Sequence, residues 1–170
     1  MTYTAGINTP LGAMTASAEG DALTGLWFIG QKYYPSETVT WVSEPDHTVF
    51  KLLRKWLADY FSGSENTPLP NIEPKGTAFQ KAVWDILLGI PYGRIATYGE
   101  ISKKLAASQG LSSMSAQAVG GAVGHNPISI LIPCHRVVGA NGSLTGYAGG
   151  LARKEALLRL ERPCRAEGIK

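Results

Sequence analysis

Sulfur and histidine are scarce in this chain. Its 170 residues contain two cysteines, Cys134 and Cys164, and three histidines, His47, His125 and His135. These do not cluster at the short spacings of a structural zinc site, so no metal is expected. A single disulfide is open by count, but Cys134 sits in chemically special company and both thiols are read as reduced. No apolar run approaches membrane-spanning length, and Met1 leads into Gly6, Asn8, Thr9 and Pro10 without a basic stretch followed by an apolar one. Membrane insertion and secretion are therefore disfavoured, and a cytoplasmic place (bacterial-type cytosol or nucleoid) is expected. Disorder is excluded as well, because 44% of the residues are hydrophobic and only 17% charged. That composition supports a real core in one or two small domains.

The net charge of +3 is unevenly spread. Residues 1–75 carry five Lys/Arg against eight Asp/Glu, whereas residues 76–170 carry eleven against five, giving −3 and +6. The basic half suits a polyanion, although the field is modest and leaves nucleic-acid binding merely plausible. Around the turn signals Asn8-Thr9-Pro10-Leu11-Gly12 and Glu19-Gly20-Asp21, residues 3–42 alternate as an antiparallel ribbon with a strand at 23–29. Val49, Leu52, Leu53, Trp56, Leu57, Tyr60 and Phe61 recur at helical spacing over 46–61. Pro68, Pro70 and Pro74 make 64–75 a linker, so the domains are expected at 1–75 and 76–170.

In the second half, Thr77 and Gln80 form a capping box before a helix with Phe79, Val83, Ile86 and Leu87 on one face. Two further helices, about 98–107 and 115–124, make a helix-turn-helix. The second contains Ala116, Ala118, Gly120, Gly121, Ala122 and Gly124, and each glycine costs about 1 kcal/mol relative to alanine. Something approaches it closely, either a packed helix inside the protein or a DNA groove outside it. Asn141-Gly142 signals a hairpin between Val137-Val138 and Leu144, and a last helix at 151–161 turns Leu151, Leu157 and Leu158 inward. The tail beyond Arg162 is read as loosely held.

Chemistry concentrates at Pro133-Cys134-His135-Arg136, directly after the apolar run of residues 128–132. Thiolate is the nucleophilic form of cysteine, and an ordinary thiol near pKa 8.5 is mostly protonated at neutral pH. A reactive Cys134 needs a base such as His135. Adjacent side chains in extended backbone point apart, so the two need a turn or a bridging water to communicate.

Ala118-Val119-Gly120-Gly121-Ala122, Asn126-Pro127, Ile130-Leu131-Ile132-Pro133-Cys134-His135-Arg136-Val137 and Thr145-Gly146-Tyr147-Ala148-Gly149-Gly150 follow one another in this order. Together they resemble the O6-alkylguanine-DNA alkyltransferases, from Phe79-Gln80-Lys81-Ala82-Val83-Trp84 to Glu161. The resemblance implies two domains: an N-terminal α/β ribonuclease-H-like roll, and a mostly helical C-terminal domain bearing the helix-turn-helix. It implies stoichiometric, irreversible transfer of the alkyl group of O6-alkylguanine, and of O4-alkylthymine, in duplex DNA onto Cys134 after base flipping. Cys134 would be deprotonated through water by His135, itself oriented by Glu161. Tyr98 would help turn the nucleotide out and donate to the purine, against core packing as its plain role. Asn126 would be a hinge, against an ordinary turn asparagine. Val123, Tyr147, Ala148 and Gly149 would line the pocket. Ser115, Ala116, Gln117, Ala118, Gly120, Gly121 and Arg136 would meet double-stranded DNA through its minor groove.

The same resemblance implies no cofactor and a monomer in solution, with room for clustering along DNA. Two positions depart from the family pattern. Gln117 stands where an arginine usually enters the stack, removing a cation and a flat stacking surface. Ala148 stands where many relatives have serine. A transcription factor reading a fixed operator is disfavoured by the lack of Arg and Asn over residues 116–124, where Gln117 is the lone long polar side chain. A turnover hydrolase would need an oxyanion hole that the sequence does not display.

Overall fold

Two-residue turns decide how the first strands pair. In the computed structural model, which describes residues 1–162, β1 (Tyr3–Thr9) runs antiparallel to β2 (Gly12–Glu19) with Thr9 opposite Gly12. β2 in turn pairs with β3 (Ala22–Phe28), Glu19 opposite Ala22. Gly20 has φ +60°, a conformation that a side chain would penalise. A short β4 (Val42–Ser43) lies parallel to β1, giving the order β3-β2-β1-β4.

Ile7, Met14, Ala16, Leu26 and Phe28 are buried, and α1 (Thr48–Phe61) packs against β1, β2 and β3. The helix begins two residues later than the sequence suggests, where His47 Nδ1 accepts the Val49 N–H at 3.1 Å. Leu52, expected on the apolar face, is 49% exposed, and Phe50 is buried instead. The seven apolar positions span a wider stripe than one helix face buries.

The proline-bearing segment after α1 does more than link. Residues 71–73 lie parallel to β3, with Leu23 N donating to Asn71 O and Glu73 N to Leu23 O, both at 2.8 Å. Proline bars a helix there but allows the extended backbone of a sheet edge. Pro127–Ser129 adds to the same edge, with Leu26 N donating to Pro127 O at 2.8 Å and Ser129 N to Leu26 O at 3.0 Å. One compact unit thus comprises Met1–Lys75 and Pro127–Ser129, and the other Gly76–Asn126 and the described residues from Ile130 onward. The linear division after residue 75 did not include this return.

The second unit is mostly helical: α2 (Ala78–Leu88), α3 (Tyr98–Ser108), α4 (Ala116–Gly124) and α5 (Leu151–Leu160). Capping boxes start α2 at Thr77/Gln80 and α3 at Thr97/Glu100, and Ser115 Oγ caps α4 by accepting the Ala118 N–H. α2, α3 and α4 pack on one another. The pair β5 (Ala96–Thr97) and β6 (Val137–Val138) is parallel. The antiparallel hairpin expected around Asn141-Gly142 is therefore corrected. Gly139 and Ser143 close a tight turn by one backbone bond, and β6 finds its ladder partner in β5. Leu151, expected inside, is 50% exposed, while Lys154 on the same helix is fully buried. Cys164 and the tail expected to be loose lie outside the described residues. Among the described residues no helix is long and apolar enough to cross a membrane.

Two side chains pin α4 at its ends. Ser102 Oγ donates to Met114 O at 2.8 Å just before the helix, and the buried Trp84 Nε1 donates to Ala122 O at 2.8 Å in its last turn. Trp84→Phe keeps most of the apolar volume but removes this donor. It should lower the unfolding free energy by about 1–2 kcal/mol in urea titrations; an unchanged midpoint and slope would show that α4 is held by packing alone.

Candidate active site

Ile130 opens the reactive segment with a backbone that few residues adopt. Its φ is +72°, and a β-branched residue there carries strain of about 1–3 kcal/mol. The side chain is buried, as are its neighbours Ile128, Leu131 and Ile132, so packing holds the turn in place. After Pro133, residues Cys134–Arg136 form one turn of 3-10 helix rather than extended backbone. With three residues per turn, consecutive side chains fan out by about 120°. Cys134, His135 and Arg136 consequently leave the backbone in three directions, and all are buried.

His135 is fully buried and its Nε2 lies 2.7 Å from Glu161 Oε2. Arg136 reaches the same carboxylate with Nε on Oε1 at 2.8 Å and Nη2 on Oε2 at 3.0 Å, while Nη1 donates to Ile90 O at 2.7 Å. Its guanidinium also lies 5.8 Å from the centroid of the Tyr92 ring. Burial alone would raise the Glu161 pKa, but hydrogen bonds from His135 and Arg136 overcome it and hold the group at about 2. Glu161 is thus a carboxylate, and the hydrogen on His135 must sit on Nε2 to be donated to it. Burial keeps the imidazole below its usual range, so it is neutral and Nδ1 carries a lone pair. Nδ1 is buried and accepts from no protein donor among the described residues.

The Cys134 thiol is free and buried, and burial pushes its pKa up. Asn126 opposes that effect: its buried amide donates to Ile132 O at 2.7 Å and to Cys134 Sγ at 3.2 Å. The half-buried Tyr98, at the start of α3, donates its hydroxyl to Thr145 O at 3.3 Å. Burial also raises its pKa, so the phenol is neutral at rest. Of the other pocket candidates, Val123 and Gly149 are buried and Tyr147 and Ala148 are half-buried.

Lys154 belongs to this constellation and was missed from sequence. Its ammonium donates to Val137 O at 2.6 Å, Thr145 O at 2.8 Å and Gly146 O at 3.1 Å, joining β6 to the loop that Tyr98 touches. Burial lowers its pKa to about 8. The usable signal was its spacing: Lys154 precedes Glu161 by seven residues, which places both on one face of α5.

Ser115, Ala116, Gln117, Ala118 and Gly121 are exposed on α4, and Gly120 is half-buried. A Cβ added at Gly120, Gly121 or Gly124 would meet nothing within 4 Å. Close packing among the described residues therefore does not account for these three glycines. Arg136 requires a correction. Placed with the DNA-facing residues by sequence, it is turned inward, because a buried carboxylate and a backbone carbonyl take its donors.

Comparison with known proteins gives concordant matches. A family model described as the 6-O-methylguanine DNA methyltransferase DNA binding domain matches residues 78–163, and one described as the ribonuclease-like domain of the same proteins matches residues 2–69. The methylated-DNA–protein-cysteine methyltransferase of Mycobacterium bovis is 45% identical over 156 residues, covering 92% of this chain and 90% of that one. The crystal structure of Mycobacterium tuberculosis O6-methylguanine methyltransferase superposes with a TM-score of 0.83 at 43% identity, over 95% of this chain and 93% of the other. A structure of the Mycobacterium tuberculosis protein in complex with DNA gives 0.81 at 41% identity, over 95% and 92%.

The buried network predicts an acid-sensitive fold. Glu161 lies at about 2 against an ordinary 4.5, so the stability it contributes is present above pH 4.5 and is lost as pH falls towards 2. His135 adds to the loss below its ordinary 6.5, since the unfolded chain takes a proton that the folded chain resists. Denaturant unfolding of the wild type should lose on the order of 3 kcal/mol from Glu161 across that lower window, and Glu161→Gln should abolish this component. Parallel stability curves for the two proteins would refute the assignment.

Proposed function

The chain belongs to the 6-O-methylguanine DNA methyltransferase family, and from that premise we propose that it repairs duplex DNA by moving the alkyl group of O6-alkylguanine or O4-alkylthymine onto Cys134, once and irreversibly. The observation that carries this reading is the His135 lone pair: Nε2 is held by Glu161, while the buried Nδ1 has no protein donor among the described residues, one position along the chain from the buried thiol. Because burial disfavours a resting thiolate, the proton must leave as the reaction proceeds. It passes from sulfur through a water molecule to Nδ1, and the imidazolium so formed is stabilised by Glu161. The sulfur forms a bond to the alkyl carbon as the bond from that carbon to O6 breaks. Tyr98, a neutral phenol, supplies a hydrogen bond or proton to the departing purine. A thioether is not hydrolysed by water, so no second step restores the thiol and each molecule acts once.

The alkylated base cannot meet a buried sulfur from inside a stack, so the nucleotide turns out into a pocket lined by Val123, Tyr147, Ala148 and Gly149. Asn126 links the two events, since it lies just beyond α4 and its amide holds both Ile132 O and Cys134 Sγ. We propose further that α4 enters the minor groove through Ser115, Ala116, Gln117, Ala118, Gly120 and Gly121. Open space around the glycines supports this, because their small size then serves a surface outside the protein. Gln117 would fill the gap left by the extruded base without the charge of an arginine.

The direct test is mass spectrometry after mixing the protein with duplex DNA containing O6-methylguanine. The expected result is one methyl added per molecule, located at Cys134, with Cys134→Ser inert; disappearance of the lesion with an unmodified thiol would overturn the reading. The groove assignment has its own test in Gly121→Ala. This change should stabilise the fold by up to about 1 kcal/mol through helix propensity. It should slow repair of duplex substrate several-fold and leave the reaction with free benzylated guanine at the wild-type rate. Undiminished duplex repair would take α4 out of the DNA contact.

A further inference from the structure

Arg136 follows His135 directly, and its side chain faces none of the roles assigned above. Its guanidinium forks across both oxygens of Glu161, is fixed on its far side by Ile90 O and lies against Tyr92. The carboxylate that Arg136 clamps is the one that His135 touches at 2.7 Å. Glu161 ends α5, where the partial negative charge of the helix C-terminus disfavours an anion, so the position is tolerable only with strong compensation. An unneutralised carboxylate at that distance from an imidazole would favour the imidazolium, and a protonated Nδ1 can accept nothing from a thiol.

We propose that Arg136 is a positioning residue that neutralises and aligns Glu161, so that the carboxylate orients His135 without drawing a second proton onto it, and Nδ1 remains a base at rest. The charge balance explains how the site still works. Glu161 and Arg136 together carry no net charge, so protonating His135 from solvent would place an uncompensated cation in a buried site. When the proton comes from Cys134 instead, imidazolium and thiolate form together and the net charge does not change. The other groups acting on His135 agree with this division: Glu161 favours its charged form, whereas Arg136 and Lys154, from its own turn and from α5, oppose it. Bidentate geometry is needed as well as charge, because the fork fixes the plane of the carboxylate and with it the ring of His135.

This inference rests on Cys134 as the acceptor, and the experiment separates the two. The full-length wild type, Arg136→Met and Arg136→Lys are compared by NMR titration of the His135 ring and by the pH profile of Cys134 alkylation with free benzylated guanine. Arg136→Met should move the His135 titration midpoint up by about one pH unit, with a roughly tenfold loss of rate on the acid side of the profile. Arg136→Lys, which keeps the charge and loses the fork, should hold the midpoint near that of the wild type while lowering the plateau rate several-fold. A His135 midpoint within a few tenths of a unit of wild type in Arg136→Met overturns the proposal. Should Arg136→Met fail to fold, Arg136→Lys with wild-type midpoint and plateau overturns it equally. Absence of alkylation in the wild type defeats the acceptor assignment instead, and the ring titration still decides the part played by Arg136.

Discussion

A single buried carboxylate organises this site. Glu161 stands just past α5, where the helix dipole is unfavourable, and two basic side chains from the Cys134–Arg136 turn converge on it. Losing one partner of such a cluster leaves an uncompensated charge away from water, which is far costlier than losing an exposed ion pair. The turn and the helix end are consequently held in one arrangement. Everything chemical about the segment follows from that arrangement: the tautomer of His135, the free lone pair on Nδ1 and the inward course of Arg136.

The same helix holds the site at a second point. Lys154, two turns before Glu161, spends its ammonium on the carbonyls of Val137, Thr145 and Gly146. One face of α5 thus carries a buried cation and a buried anion, gripping the chain just after the reactive turn and at the turn itself. Tyr98 shares the Thr145 carbonyl with Lys154, so the phenol is placed by the same loop. The strained Ile130 fits this pattern. A backbone of that kind persists only where surrounding packing over-determines it, and its neighbours from Ile128 to Ile132 are buried.

On the proposed reading, α4 trades helix stability for access. Its glycines lower helix propensity and no contact among the described residues requires them, yet the helix is capped by Ser115 and pinned by Ser102 and Trp84. The rigidity that glycine takes away locally is restored by neighbours, which leaves a bare backbone surface on a well-placed helix. Asn126, immediately past its end, then joins that helix to the sulfur with one side-chain amide.

Much of this was legible in the linear order of residues. The Pro-Cys-His-Arg run with its flanks identified the family and the chemistry, and the capping boxes at Thr77/Gln80 and two-residue turns located the elements, because caps and turns act over three or four neighbours. Long-range burial was not legible. Arg136 reads as a DNA contact and Lys154 gives no sign of its role until α5 is folded against the reactive turn, and Leu52 and Leu151 read as core until the faces are assigned. The hairpin at Asn141-Gly142 failed for the same reason, since β5, some forty residues earlier, competes for β6. Sequence alone determined which groups are present and what reaction they are suited to, since reactivity is a property of the side chains. Only the tertiary structure decided which nitrogen of His135 is free and which charges are buried together, because both depend on partners brought close from distant parts of the chain.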